Sequence, residues 1–585
     1  MKLSKFLFFN IISLASIYSL AHNQKEQFRQ LNQLDANQQL HQIQQQTEKQ
    51  KQLNNQADIR LEIEGEKIRS FPSNETPCFD IHKITLLDYA PNNQFTSSEF
   101  KLELNKSIND LNLVLPLCIG SEGINTLIKT IQNRLIEKGY VTTRVIAPEQ
   151  NLAKGELTLM VILGKVRRIL INDSSELPKF NRWQSWTALT FSTGDLLNLR
   201  DIEQSLENLK RLPTAEANIE ILPSNAKDAD VGESDIQISY KQGFPLRFNL
   251  SLNDGGSKST GKWQGSATLS WDNLLLANDL FYANFTHSMK RHTDDKGKRA
   301  SKNLQLYYSI PLGYWNLAFS HGEHRYHQQV FGAFTNYIYA GKSKTDKLQI
   351  SYQLYRDAKR KTSMYASLWS RHSNNYINGN EIEVQKRRMS GWELGLNHRE
   401  YWKSAVIDLG FNYKKGTGAR GALSAPEELW NEGTSRPVII SANLNYTHPF
   451  QMREQSFRFS TEWSAQWNKT PLIAQDRFSI GGRHTVRGFD GELTLSAERG
   501  WLARNEVAWN ILQTHQWLYV GIDAGRIMGS SAALGLGNHL VGSVIGIRGE
   551  KYGFYYDFFI GRPISKPEGF RTSHSVTGFN IGYSF

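Results

Sequence analysis

Four places in the sequence carry residue types that could do chemistry. Val486-Arg487-Gly488-Phe489 sets one guanidinium beside a glycine, inside the glycine-rich stretch Phe478 to Asp490. The chemistry of an arginine there is a bidentate grip on a carboxylate or phosphate, and the adjoining glycine lets the backbone approach whatever is gripped. Cys78 and Cys118 are the only two cysteines; they could form a disulfide or stand as two unrelated thiols. His321-Gly-Glu-His324 holds metal-ligand types but has no third ligand in register, and reads as the solvated edge of an outer loop. Asp254-Gly-Gly-Ser257 reads as a turn, because neither a strand–loop–helix frame nor a following lysine makes it a phosphate cradle. No Ser/His/Asp set has a triad context. No metal, cofactor or catalytic residue is expected, and the chain does not read as an enzyme.

The elements that must position these residues begin with an export signal at 1–21. Lys2 and Lys5 precede a short apolar core, Phe6 to Leu20, and Ser19-Leu20-Ala21 supplies small residues for cleavage. Beyond it no apolar run approaches the ~18–20 residues of a spanning helix, which excludes a helical membrane protein. Export places the two cysteines in an oxidising compartment, where closing their loop would stabilise its unit by roughly 4 kcal/mol in the chain-entropy model. The 68 Lys+Arg and 56 Asp+Glu are spread along all 585 residues, a formal charge of +12 with no basic arm. Nucleic acid is therefore not an expected partner, while a basic surface facing anionic lipid or an acidic partner is.

Residues 22–52 are rich in Gln and Asn. Phe28, Leu31, Leu34, Leu40 and Ile43 form a thin apolar stripe on a polar helix that buries too little to fold alone. Such a helix needs a polar, water-lined place to lie, or it stays disordered. A connector, 53–76, leads to two small mixed units, 77–164 and 165–242. In the first, Cys78 to Leu87 alternates as a strand, Gly123 to Gly139 is an amphipathic helix, and Val141–Ile146 and Glu156–Leu163 are strands. The second repeats the plan: a strand over Val166–Ile171, a helix from about Asp201 to Leu212 capped by Asn198 or Asp201, and strands Ala217–Leu222 and Asp235–Tyr240.

From 243 to 585 the pattern becomes a series of ten-residue alternations. Leu348/Ile350/Tyr352/Leu354, Ile407/Leu409/Phe411/Tyr413 and Leu518/Val520/Ile522/Ala524 are examples, among about sixteen in all. A tilted strand of that length crosses a bilayer once. Short connections such as Pro311-Leu-Gly313 and Glu550-Lys551 alternate with long ones, His321 to Thr345, Lys414 to Arg436 and Asn468 to Glu498. Brief turns on one side and extended loops on the other mark an even-stranded membrane barrel, and a wet lumen explains the negative mean hydropathy.

Several long stretches carry a family resemblance. Cys118-Ile-Gly, Leu135-Ile-Glu-Lys-Gly-Tyr-Val-Thr-Thr-Arg144, Ala147-Pro-Glu-Gln150 and Leu197-Asn-Leu-Arg-Asp-Ile-Glu-Gln204 resemble the paired POTRA domains of two-partner secretion transporters (TpsB, the ShlB/FhaC/HecB family). Phe478 to Asp490 resembles the loop-six motif of the wider Omp85 superfamily. The resemblance implies an all-β membrane barrel of sixteen antiparallel strands, two α+β POTRA domains before it, and an N-terminal plug helix at 22–52. It also implies that loop six, here 468–498, folds into the lumen, where Arg487 meets an acid on the wall. With Leu518, Val520, Ile522 and Ala524 facing lipid, Asp523 faces inward; Asp557 is the rival partner. The family's usual aromatic two residues before that acid is absent, and Gly521 stands there.

Phe585, ending an alternating strand, fits the signal by which barrel precursors are assembled. The expected function is an outer-membrane pore of a Gram-negative bacterium that binds a large secreted exoprotein through periplasmic POTRA domains. Outer-membrane lipid and the barrel assembly machinery are its other expected partners, and the chain is expected to be a monomer. The paired cysteines and the Arg487-Gly-Phe-Asp-Gly-Glu492 stretch lean towards the haemolysin and contact-dependent-inhibition branch. An outer-membrane protein assembly factor is the alternative. The sequence does not name the exported chain or the POTRA residues that would touch it.

Overall fold

Alternation of apolar and polar side chains runs down the chain's second half, and the strands it produces close on themselves. A computed structural model of the chain describes residues 58–61, 70–72, 74–89, 96–176, 179–292, 294–331, 335–533 and 535–585. The export signal, the helix at 22–52 and most of the connector lie outside the described residues. The barrel has sixteen antiparallel strands, from Leu246–Asn253 to Val576–Ser584, and the first pairs with the last over Asn249↔Ser584 to Asn253↔Asn580. A two-residue piece, Asn380–Glu381, pairs with the end of the seventh strand as an outer extension. Phe585 exchanges backbone hydrogen bonds with Phe248 and stacks on its ring across the seam. Closure leaves no unpaired edge in lipid, as the bilayer demands. Leu250, Leu348, Ile350, Phe411, Val520 and Ile522 all lie exposed on the outer face.

The barrel end next to the two small units has tight turns at 313–314, 403–404, 453–454 and 552–553. Strand ends differ from the sequence expectation in a consistent way. Pro311 and Leu312 still belong to the fourth strand, and Lys551 to the fourteenth. The supposed long loop from His321 to Thr345 is strand: the fifth, Trp315–Phe331, and the sixth, Asn336–Arg356, run far beyond the lipid band. Polar residues replace apolar ones on their outer face without ending the backbone ladder, so hydropathy alone gives a loop where the chain is strand. His321 and His324 accordingly sit on the fifth strand, with His324 buried, and are not a solvated loop edge.

Before the barrel lie two small α+β units. The first has a four-stranded sheet in the order Thr96–Ser97, Lys83–Asp88, Glu156–Ile162, Arg144–Ile146, covered by helices Lys101–Asp110 and Ser121–Glu137. The expected single strand from Cys78 breaks at His82. Its first piece, Phe79–Ile81, pairs instead with Leu117–Ile119, which brings Cys78 and Cys118 into a disulfide with Cα atoms 5.4 Å apart. Ile81, Leu104, Leu127, Ile131, Leu135 and Leu157 fill the core. Glu75 accepts hydrogen bonds from the backbone N–H groups of Gly120, Glu122 and Gly123 at 2.7–3.1 Å, a carboxylate at the positive end of helix Ser121–Glu137.

The second unit has a three-stranded sheet, Lys165–Asp173 beside Glu233–Gln242 beside Ala215–Pro223, with helices Arg182–Ala188 and Leu199–Lys210. Asn198 caps the latter, its side chain accepting from Arg200 N at 2.8 Å. This core runs on into the barrel mouth, where Leu280, Tyr282, Tyr307 and Ala318 join Leu206, Leu209 and Ile238.

Candidate functional site: loop six on the barrel wall

Loop six connects the eleventh strand, Gln455–Asn468, to the twelfth, Arg499–Asn510. Its stem is a short antiparallel pair, Phe478–Ile480 with Leu495–Ala497. Ile480, Val486, Phe489 and Leu495 are apolar in a polar lumen, so they bury themselves against Leu502, Ile527, Leu540 and Phe570. Thr485 Oγ1 fixes the turn by accepting from the N–H groups of Gly481 and Gly482 at 3.0 and 3.1 Å.

The tip presses onto a wall from which side chains have been removed. Gly488 has φ +104°, and a Cβ there would stand 2.5 Å from the carbonyl oxygen of Arg562. A Cβ on Gly542 would lie 2.0 Å from the carbonyl oxygen of Arg487, and one on Gly561 2.7 Å from Cα of Gly488. Loop and wall therefore meet backbone to backbone, which glycine alone permits.

The wall meets Arg487 through Asp523 on the thirteenth strand, Gln516–Met528. Nε and Nη2 of Arg487 donate to the two carboxylate oxygens at 2.7 and 2.8 Å, and its backbone N–H donates to Oδ2 at 2.9 Å. Nη1 donates to Glu506 at 2.7 Å, and the other oxygen of Glu506 accepts from Arg548. Asp523 is wholly buried and Arg487 nearly so. Burial works against the guanidinium's charge, but Asp523 and then Glu506 more than offset it and hold Arg487 above its usual basicity. Gly521 makes this geometry possible: a Cβ there would come within 2.8 Å of Nη2 of Arg487, so the missing aromatic is space that the guanidinium occupies.

Asp557, the rival partner, instead accepts from the hydroxyl of Tyr519 at 2.7 Å, and no contact joins it to Arg487 among the described residues. Sequence reasoning missed Glu506 and Arg548. The same phase argument would have found both, because their strand neighbours Val507 and Ile545 face lipid. Asp254 belongs to this region too: it accepts from Arg483 at 2.6 Å and from Phe579 N at 2.9 Å, holding the loop to the barrel seam. Glu492 further ties the loop to Lys258, whose N–H it accepts at 3.1 Å. No group of three or more His, Cys, Asp or Glu side chains that could hold a metal ion exists among the described residues.

Beneath loop six, towards the barrel end with the tight turns, lies a cavity of about 1240 Å³ bordered by Arg247, Arg458, Arg504 and Arg548 with Trp517 and Tyr556. At the rim of the same barrel end a second charged cluster ties three parts of the chain together. Arg356, at the end of the sixth strand, donates to Glu203 at 2.9 Å and Glu207 at 2.8 Å on helix Leu199–Lys210, and to the carbonyl of Ile59 at 2.5 Å. The same two glutamates accept from Leu61 N at 2.7 Å and Ile59 N at 2.8 Å. Lys361, Arg399 and Tyr401 all contact Asp58.

Comparison with known proteins decides the family. The model for "Haemolysin secretion/activation protein ShlB/FhaC/HecB" matches residues 232–549, over half the chain. The chain belongs to this family. A ShlB-type POTRA domain matches residues 95–164 and a further POTRA domain residues 165–223. "Outer membrane transporter CdiB-2" of Burkholderia pseudomallei (strain 1026b) is 32% identical over 520 residues, 87% of each chain. "Hemolysin transporter protein ShlB" of Serratia marcescens is 25% identical over 417 residues, 70% of this chain and 71% of that one. The solved structure of CdiB from Acinetobacter baumannii matches at TM-score 0.83 and 30% identity, covering 94% of this chain and 99% of that one. This ShlB/FhaC/HecB-family chain is a two-partner secretion transporter, and that reading stands over the assembly-factor one.

Proposed function

We propose that this chain captures one large exoprotein in the periplasm through its two POTRA units, 77–164 and 165–242, and passes it through the barrel to the cell surface. The exported chain is a contact-dependent toxin or haemolysin of the kind the relatives' names indicate. The observation that carries the reading is the join between the POTRA core and the barrel mouth at Leu280, Tyr282 and Tyr307, which aims a docking unit directly into the lumen. An unfolded segment adds as an extra strand at the edge Lys165–Asp173, where Leu170 and Ile171 stand exposed. The arginine-bordered cavity is the polar site that the Gln-rich helix at 22–52 needs as a resting plug. Loop six, fixed by Arg487 and Asp523, sets the shape of the path beside it. The periplasm offers no nucleotide, so folding of the exported chain outside the cell supplies the direction. Localisation in the outer membrane with periplasmic POTRA units, and a monomeric state, belong to the same proposal.

Co-expression with the large open reading frame beside its gene tests it. The exoprotein appears at the cell surface with the chain present and stays in the periplasm without it; surface display independent of the chain would refute the proposal.

A further inference from the structure

The outer face of the barrel changes chemistry sharply along the fourth, fifth and sixth strands, Arg299–Leu312, Trp315–Phe331 and Asn336–Arg356. Near the periplasmic turns it is apolar: Leu317, Phe319, Leu348 and Ile350 stand exposed in the lipid-facing phase. The same phase, followed away from the periplasm, reaches Glu323 and Arg325 on the fifth strand and Lys344 and Lys342 on the sixth, while Lys302 follows Leu304 on the fourth. The register sets Lys302 directly opposite Arg325, and Arg325 directly opposite Lys342. Lys344 lies opposite Glu323, with His287 beside Lys302 and His372 beside Lys344.

Like charges directly opposite each other in a sheet repel. Here one carboxylate, Glu323, serves Arg325, Lys342 at 3.5 Å and Lys344 at 3.8 Å, and Lys302 has no carboxylate partner among the described residues. The nearby Asp346 is engaged by His321 at 2.6 Å. The side chains of Arg325, Lys342 and Lys344 are 61%, 36% and 43% exposed, so the excess positive charge faces outward. A row of cations on a strand ladder just above a lipid band is stable when an anion from outside completes it. The outer leaflet of a Gram-negative outer membrane places phosphorylated glucosamine lipid at that level.

We propose that Lys302, Arg325, Lys342 and Lys344 form an outward-facing site for the phosphate groups of that outer-leaflet glycolipid, lipid A. Arg325 supplies the planar fork that takes phosphate in a bidentate grip, and the three lysines supply point charges around it. The acyl chains lie on Leu304, Phe319 and Leu348 below. Glu323 keeps Arg325 and the two lysines of the sixth strand oriented towards the site.

Binding of bisphosphorylated lipid A to the purified full chain in detergent tests the site, with dephosphorylated lipid A and phosphatidylglycerol as comparison lipids. The chain binds bisphosphorylated lipid A at least tenfold more tightly than either comparison lipid, and the K302Q/R325Q/K342Q/K344Q variant loses that preference. K302R/K342R/K344R, which keeps the charge, retains it. Should the fourfold variant fail to fold, as read by heat-modifiable gel mobility, K342Q/K344Q is used and loses at least half of the preference in log affinity. Equal binding by variant and parent, or equal affinity of the parent for dephosphorylated lipid A or phosphatidylglycerol, would overturn the proposal.

Discussion

Arg487 is buried among two carboxylates, and removing its side chain leaves Asp523 and Glu506 facing each other without a counter-charge on the loop. A charge stranded in this way costs about 3–5 kcal/mol, enough to free the loop tip without opening the barrel ladder. Asp523 was legible in the sequence because period-two alternation fixes which side of a strand a residue faces. Its partnership was not separable from that of Asp557, because two inward acids on the thirteenth and fifteenth strands look alike until the loop's landing point is known. That landing point is set by Gly542 and Gly561, whose significance shows only when the loop backbone lies on them. Glu492 carries a pH dependence. Burial pushes its carboxyl up to about 7, against the pull of Lys262 and Lys258. The packed loop therefore binds a proton that the released loop does not, and its contact with the 258–262 loop weakens as pH rises from about 4.5 to about 7. Limited proteolysis of loop six across that range should show rising cleavage in the parent and a flat profile in Glu492→Gln; a flat parent profile would contradict the assignment.

Among the elements, the helix Leu199–Lys210 does two tasks. Its apolar face builds the POTRA core, and Glu203 and Glu207 on another face hold Arg356 of the barrel rim together with the backbone of residues 58–61. Arg356→Ala should loosen both attachments at once, by about 1.5–3 kcal/mol for the lost charged hydrogen bonds, since Glu203 keeps Arg200 and Glu207 keeps Lys361. A disulfide cross-link engineered between the helix and the rim should form less completely in that variant; unchanged cross-linking would show that the apolar join alone fixes the unit. The helix itself was evident from its periodicity and from Pro213 after it. Helices Lys101–Asp110 and Arg182–Ala188 were not, being short and weakly amphipathic, and Arg182–Ala188 leaves Trp183 and Trp186 outside. The disulfide holds Phe79–Ile81 and Leu117–Ile119 together as a two-stranded sheet outside the main one. Reduction, or Cys118→Ser, should lower the stability of that unit by about 4 kcal/mol, read as faster proteolysis within 77–164 while the barrel resists.

For the whole molecule, the closed sheet was readable from alternation and turn spacing, whereas the extent of the outer strands was not. Above the lipid band the fifth and sixth strands carry polar residues on both faces, and hydropathy no longer distinguishes strand from loop. The same extension carries the cationic row on the outer face. Deleting residues 22–52 should raise single-channel conductance several-fold in planar bilayers if that segment rests in the arginine-bordered cavity, and equal conductance would place it elsewhere. The central claim is that a transporting barrel keeps loop six on its wall through Arg487 and Asp523. Surface display of the co-expressed exoprotein by cells carrying Arg487→Ala, set against Asp557→Asn at matched levels of folded barrel, tests it most directly. Export should fall at least tenfold in the first and stay near the parental level in the second; undiminished export with Arg487→Ala would contradict the account.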